Sequence, residues 1–313
     1  MIRSDIFRLL LASSLLFFIF ISMSTHSAAI ENIIKIPKQR STYDISHDYH
    51  KTLLHMALKK AANGRKIPEI IDTLAMSQGR AIVELTKGDM LDVYWLGTSK
   101  DLESDLLPIK VPTTRGLIGY RKFIIHKDSI EDFNKIKTID DLKKFSACQG
   151  AHWPDTKILR AAKLSVTTST NYEDIFNMLN YKRCDYFPRG FHDSVTELEL
   201  RGEMYPNLIS YKKIILHYPF AVYFFTNKSN ISLASWIEEG LTLLVKNGEI
   251  EKLMSTHPLT SSVFPFKDEK ESVFIDLPND YLSRDSNFNH PDYWIRPIDF
   301  NIQLTNNRGD DLK

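Results

Sequence analysis

The chain has 313 residues, 43% of them hydrophobic and 25% charged, with a formal net charge of +1. That length holds one large or two medium domains, and the composition is ordinary for a globular protein, which argues against a disordered or fibrous chain. With a charge near zero and scattered Lys and Arg, there is no electrostatic footprint for nucleic acid.

Arg3 and Arg8 precede an apolar run from Leu9 to Ile21, and Ser27-Ala28-Ala29 follows. This charged, apolar, small-residue order predicts a secretory signal peptide over residues 1–29. As a helix the apolar run would reach about 20 Å, short of the ~30 Å hydrocarbon core of a bilayer. No later segment is apolar enough to span a membrane.

Asn32 to Pro37 predicts a short strand stopped by proline. Residues 48–62 carry Leu53, Leu54, Ala57, Leu58 and Ala61 at helical spacing and stop at Asn63-Gly64. Strands are expected over 67–71 and 91–97, with a helix over 77–87 between them. The β-α-β-α-β order predicts a parallel sheet with helices on its faces. Pro108, Pro112, Gly116 and Gly119 then break the rhythm, and a strand over 120–126 reads as a crossing into a second α/β part. There, helices are expected over 138–145, 157–163, 171–181 and 194–201. Strands are expected over 146–149, 165–167 and 184–187. Extended segments over 208–215 and 220–226 read as the return crossing. An amphipathic helix follows over 232–247, then a short one over 249–254. The remainder from His257 is polar and proline-rich, with a strand-like 272–275 and with Tyr293 and Trp294 expected to pack on the body.

These residues resemble the type 2 periplasmic solute-binding proteins, in the branch related to the amino-acid-binding subunits of ABC importers. The resemblance covers roughly residues 32–256 and rests on motifs in order after an export signal. Ile139-Asp140-Asp141-Leu142 resembles that family's frequent helix start, and Arg183-Cys184-Asp185-Tyr186 its "G-(R/K)-x-D-A" strand. Asn247-Gly248-Glu249-Ile250-Glu251-Lys252-Leu253 resembles its late "(D/N)-G-x-(I/L)-x-x-(I/L)" signature. The resemblance implies an α/β, two-lobed, periplasmic-binding-protein-like type II fold. Each lobe would be an open, mostly parallel sheet flanked by helices, and two crossover strands would join them. Lobe one is then expected over 30–112 plus 213–300, lobe two over 113–212, and a polar tail over 301–313. It further implies a periplasmic monomer that captures a small polar solute and presents it to an ABC importer or a sensor kinase. No cofactor and no enzymatic activity are expected. An exported enzyme on the same fold, of dehydratase or cell-wall lyase type, is the alternative, with Asp155 or Glu103 as its acid or base. A ligandless scaffold is another.

The chain departs from that family at two places. The region after the third strand, Gly97 to Glu103, lacks the arginine that grips a ligand carboxylate, and Pro188-Arg189 stands where an acid would hold a ligand amine. An arginine in place of an acid reverses the expected ligand charge, so an amino-acid-like or anionic solute is expected.

The candidate ligand-binding residues are Trp95, Gly150, Trp153, Asp155, Thr156 and Arg189. Gly150 to Thr156 reads as a strand end, a glycine turn and a helix opened by Pro154. Its backbone N–H groups and the Thr156 hydroxyl would face an anion, and Trp153 would stack on a solute. Arg189, read as lying past a strand end, would form a bidentate clamp. Only one of Tyr94 and Trp95 is expected to face the cleft, because adjacent strand residues point to opposite sides. Cys148 and Cys184 fall on strands of one sheet, where either a disulfide or two free buried thiols would fit. His47, His50 and His55 do not share one helix face, so surface histidines and no metal are expected.

Overall fold

The computed structural model describes residues 32–302 apart from Asp268, Asn287 and Asn289. The signal peptide expected over 1–29, and all but the start of the tail expected over 301–313, lie outside the described residues. No helix among them is long and apolar enough to cross a membrane.

The first α/β part opens with β1 (Ile33–Ile36), α1 (Ile45–Lys60) and β2 (Glu69–Asp72), and β1 pairs in parallel with β2. In α2 (Gln78–Lys87) the Ser77 hydroxyl accepts from the Arg80 N–H at the start. Gly88, at φ +80°, ends the helix in the left-handed region that side chains disfavour. The chain then runs beside β1, where the Asp92 N–H donates to Lys35 O at 2.9 Å, and enters β3 (Tyr94–Gly97). A short helix, α3 (Lys100–Asp105), and β4 (Leu107–Ile109) complete this part.

Past the crossing, β5 (Tyr120–His126) is buried along its whole length. Its alternating side chains feed two cores. Phe123 and Ile125 pack with Phe133, Tyr186 and Tyr211, and Ile124 packs with Phe176, Leu179 and Phe187. Two short helices follow, α4 (Ile130–Phe133) and α5 (Ile139–Leu142). In α5 a capping box between Thr138 and Asp141 satisfies the first free N–H groups. The chain then alternates through β6 (Ser146–Gly150), α6 (Pro154–Ala161), β7 (Ser165–Ser169), α7 (Tyr172–Asn180), β8 (Tyr186–Gly190), α8 (Asp193–Glu199) and β9 (Leu208–His217). Cys148 on β6 is disulfide-bonded to Cys184, which precedes β8.

The return crossing delivers β10 (Val222–Thr226), which lies between β3 and β4 and is antiparallel to both. Next, α9 (Ile231–Lys246) packs on α1 so closely that a Cβ at Gly240 would strike the Ala57 backbone, and Trp236 Nε1 donates to Leu58 O at 3.0 Å. After α10 (Glu249–Thr256) the chain returns to the second sheet as β11 (Val273–Asp276), giving the order β11-β9-β5-β8-β6-β7. Pairing is parallel for β1–β2, β6–β7, β6–β8 and β9–β11. It is antiparallel for β5–β8, β5–β9, β3–β10 and β4–β10, the pairs that flank the crossings.

Two sequence expectations need adjustment. The boundary at 213 falls inside β9, which continues in the second sheet to His217, and residues 273–277, expected in lobe one, add an edge strand to that same sheet. The final segment instead straps the two parts together. Leu277 and Tyr281 pack on the core of the second part, while Trp294 is buried with Leu85, Tyr94 and Tyr223 in the first. Between them the Ile295 N–H donates to Arg115 O at 2.8 Å, and the Tyr120 hydroxyl donates to Ile295 O at 3.2 Å. The second adjustment is that β8 does not stop before Pro188. It runs through Arg189 to Gly190, paired with β5, so Arg189 is a strand residue.

Candidate functional site

The carboxyl ends of β3 and β8 and the start of α6 meet in a cleft, where ligands sit on open α/β sheets. An inner cavity of about 100 Å³ lies there, with Tyr94, Trp95 and Gly97 on one side and Arg121, Asp155 and His192 on the other. A wider mouth of about 380 Å³ adjoins it, and Arg40, Gln78 and Trp153 line both. Contacts span the cleft. Gln78 Nε2 donates to His152 O at 3.2 Å, and the Arg40 guanidinium lies 4.5 Å from the centroid of the Tyr172 ring.

Of the residues singled out from sequence, Trp95, Trp153, Asp155 and Arg189 line the inner cavity, and Gly150 lines the mouth. Trp95 stacks on the His50 imidazole, with centroids 5.0 Å apart and planes at 2°. Trp153 is partly committed inward, stacked on Phe187 at 6.1 Å and covered by the Arg189 guanidinium at 5.2 Å. Gly150 makes room for this fold-back, because a Cβ there would collide with the Trp153 indole. Tyr94 and Trp95 both reach the inner cavity, where only one was expected. Their rings lie in edge contact, with centroids 5.5 Å apart, so strand alternation does not separate them here.

The polar candidates are occupied by other parts of the protein. The Thr156 hydroxyl donates to Gly150 O at 2.8 Å, so it is bound to its own turn. The Asp155 carboxylate sits in the first turn of α6, ion-paired with Arg121 and accepting from the Tyr218 hydroxyl at 2.7 Å. That carboxylate already complements the helix end where a free anion was expected. Arg189 does form a bidentate fork, but its partner is Glu197 on α8: Nε to Oε2 at 2.7 Å and Nη2 to Oε1 at 2.6 Å. Asp193 lies 3.2 Å from the same Nη2. Burial opposes the Arg189 charge, but Glu197 and Asp193 overcome this and hold its pKa well above the usual arginine value. The residue expected to capture an anion is therefore neutralised from within its own lobe. Glu103, the other acid considered for catalysis, accepts from the Thr98 hydroxyl at 2.5 Å and pairs with Lys110 at 2.9 Å.

Several cleft residues were not singled out by sequence reasoning. Arg40, after β1, is paired in a fork with Asp44, Nε to Oδ2 at 2.7 Å and Nη2 to Oδ1 at 2.8 Å. Burial raises the Asp44 pKa, but Arg40 more than offsets it and leaves the carboxyl far below its usual range. His47 and His50 were expected at the surface and are buried instead. His50 Nδ1 lies 2.7 Å from Ser46 O and its Nε2 lies 3.1 Å from Thr113 Oγ1, and burial lowers its pKa to about 3. His192 follows β8, and its Nε2 lies 3.2 Å from Asp193 Oδ1. Arg121 is 2% exposed on the cavity wall. The one sequence signal for the His192-Asp193 pair was its position just past a strand's carboxyl end. No group of three or more His, Cys, Asp or Glu among the described residues could hold a metal ion.

No protein-family model matches the chain, and no curated protein sequence does. Solved structures do match. An ancestral arginine-binding protein bound to arginine aligns with a TM-score of 0.54 at 13% identity, over 72% of this chain and 98% of that one. A histidine kinase sensor domain with similarity to periplasmic binding proteins aligns with a TM-score of 0.54 at 15% identity, over 72% and 94%. An ancestral amino-acid-binding protein, described as a precursor of cyclohexadienyl dehydratase, aligns with a TM-score of 0.50 at 14% identity, over 72% and 95%. Identities this low speak to fold alone: the chain has the two-lobed α/β fold of the type 2 periplasmic binding proteins.

Proposed function

We propose that this chain is an exported solute-binding protein. A small polar solute enters between the lobes, the lobes close by rotation about the crossings, and the closed form is presented to a membrane partner, an ABC importer or a sensor kinase. One observation carries the reading: the inner cavity has walls from both α/β parts and buried polar side chains on them. An arginine-binding protein and a sensor domain among the proteins of like fold support both halves of it. Residues 1–29 serve as the export signal, and the mature monomer acts in the periplasm. Lobe one comprises residues up to about 112 together with 218–256, and lobe two 113–217. Trp95 and Trp153 touch the solute, while Gly150, Asp155, Thr156 and Arg189 shape the wall behind them.

The test is a thermal-shift screen of the purified protein against amino acids, dicarboxylates, small peptides, sugars and polyamines. A ligand at a hundredfold excess over its Kd stabilises the folded state by about 2.7 kcal/mol. A hit that disappears in Trp95→Ala supports the reading, and silence across the panel removes it.

A second reading, an exported enzyme on this fold, draws on His192. A buried imidazole braced by Asp193 and lining the cavity has the arrangement of a general base. Turnover that His192→Asn abolishes without loss of ligand affinity would select this reading.

A further inference from the structure

We propose that the inner cavity takes an uncharged, hydroxyl-bearing small molecule, held by Thr114 Oγ1, Arg121 Nε and His192 Nδ1. The proposal rests on the solute-binding reading and names its ligand class.

The first argument is charge. The arginines on the cavity wall each have a carboxylate partner: Arg40 has Asp44, Arg121 has Asp155, and Arg189 has Glu197 and Asp193. No positive charge is left over for an anionic ligand. The carboxylates outnumber the guanidiniums by one, and that one, Asp193, is engaged by Arg189, by the Gly190 N–H at 3.2 Å and by His192, so a cationic ligand would have to displace those contacts. Either ion would give up its hydration for groups that already hold one another.

The second argument is what remains once those pairs are made. Thr114 Oγ1, Arg121 Nε and His192 Nδ1 are buried with no hydrogen-bond partner among the described residues, and all three residues line the same cavity. Their side chains are nearly inaccessible, Thr114 at 3% and His192 at 2%. Buried polar atoms in folded proteins are almost always partnered, so three unpartnered atoms just behind one cavity, each on a residue that lines it, call for a ligand or water reached as the wall adjusts.

The third argument is which partners these atoms accept. Arg121 Nε can only donate. The approach of His192 Nε2 to Asp193 places the ring proton on Nε2 and leaves Nδ1 an acceptor. Burial lowers the His192 pKa, in keeping with a neutral ring. The Thr114 hydroxyl both donates and accepts. A donor, an acceptor and a hydroxyl together match ligand hydroxyls, each of which can also do both. Trp95, Trp153 and Phe220 add apolar walls, against which the C–H face of a polyol or sugar ring would pack. About 100 Å³ leaves room for a few waters or for a molecule of that size.

Isothermal titration of the full protein tests this with D-ribose, D-xylose and myo-inositol against L-arginine, L-glutamate, succinate and inorganic phosphate. Each titration is run at about 20 mM and about 300 mM salt, where charge screening differs several-fold. The expected result is binding of an uncharged probe with a Kd that salt barely changes. Thr114→Val should then weaken that probe about three- to tenfold, the worth of one neutral hydrogen bond. Its ligand-free melting temperature should hold, because the hydroxyl has no partner in the fold. Thr114→Ser, which keeps the hydroxyl, should restore most of the affinity and stands in if the valine variant does not fold. Binding confined to a charged probe would overturn the ligand class and leave solute binding standing. Polyol binding untouched by Thr114→Val would overturn the placement. No binding by any probe would overturn both readings, with the orphaned atoms then satisfied by water alone.

Discussion

The two walls of the cleft are built from different chemistry. On the first-lobe side His50, Trp95 and Tyr94 present rings, and the Arg40–Asp44 ion pair is local to one loop. On the second-lobe side Arg121–Asp155, Arg189–Glu197 and Arg201–Glu173 run through the wall, with Tyr172 donating to Glu197. The ionic wall looks the more inviting to a charged ligand, yet its charges are spent on each other. Buried pairs of this kind hold side chains in one geometry at a high desolvation cost. The ring-lined wall is less constrained and is better suited to contact.

The largest expected effect comes from breaking the ionic wall. Glu197→Leu leaves Arg189 buried with only Asp193 and should destabilise the protein by about 3–5 kcal/mol in urea unfolding. A loss below about 1 kcal/mol would mean that the pair is not a structural unit. The disulfide belongs to the same lobe and closes a loop 36 residues apart in sequence. Replacing both cysteines by serine should remove about 2–4 kcal/mol, and reductant should then have no further effect on the variant.

On the other wall the handle is pH. His50 titrates at about 3 when folded, against 6.5 for an unperturbed histidine, because burial disfavours its charged form. The unfolded chain therefore binds a proton that the folded chain refuses, and stability should fall as pH drops from about 6.5 towards about 3. The slope from this one group approaches about 1.4 kcal/mol per pH unit. His50→Asn should flatten that part of the pH-stability curve, and an unchanged curve would place the acid sensitivity on the ionic wall. Asp44, held low by Arg40, adds a loss at lower pH with the same sign. The smallest effect is expected at Lys157–Asp101, a pair between the lobes exposed on both sides. Lys157→Ala should change stability by less than about 1 kcal/mol, and less still in high salt.

Much of the framework is legible in the sequence, because it follows from short-range pattern. The strand over 120–126 matches β5 at both ends, and the helices over 77–87 and 249–254 announce themselves by spacing and by Gly88 and Gly248. The cleft was legible as a place in the fold, and the pairing of its side chains was not. Trp153 and Trp95 reach the cavity, but whether Arg189 is free depends on Glu197, which meets it only after β8 turns into α8. The Arg121–Asp155 pair likewise joins residues 34 apart in sequence across the sheet. No local rule reports such pairings. Pro188 was read as a strand stop and sits within β8 instead. The β5 ladder continues past it to Arg121–Gly190, whereas the register with β6 is found only at Ala147–Tyr186.

The C-terminal strap has a mechanical consequence. Two crossings alone leave a pair of lobes free to swing about the line that joins them. The run from α10 into β11 crosses to the second sheet again, and the strap then returns from that sheet edge to bury Trp294 in the first lobe, so the lobes are tied at two further points. Tethers that do not share an axis turn a hinge into a frame. Opening must then either stretch the strap, losing the Tyr120–Ile295 and Arg115–Ile295 hydrogen bonds, or carry it along as a moving part of one lobe. A cut between 282 and 293 would break the covalent strap, but Trp294, Ile295 and Phe300 would still bridge the first core to Tyr120 and Phe191.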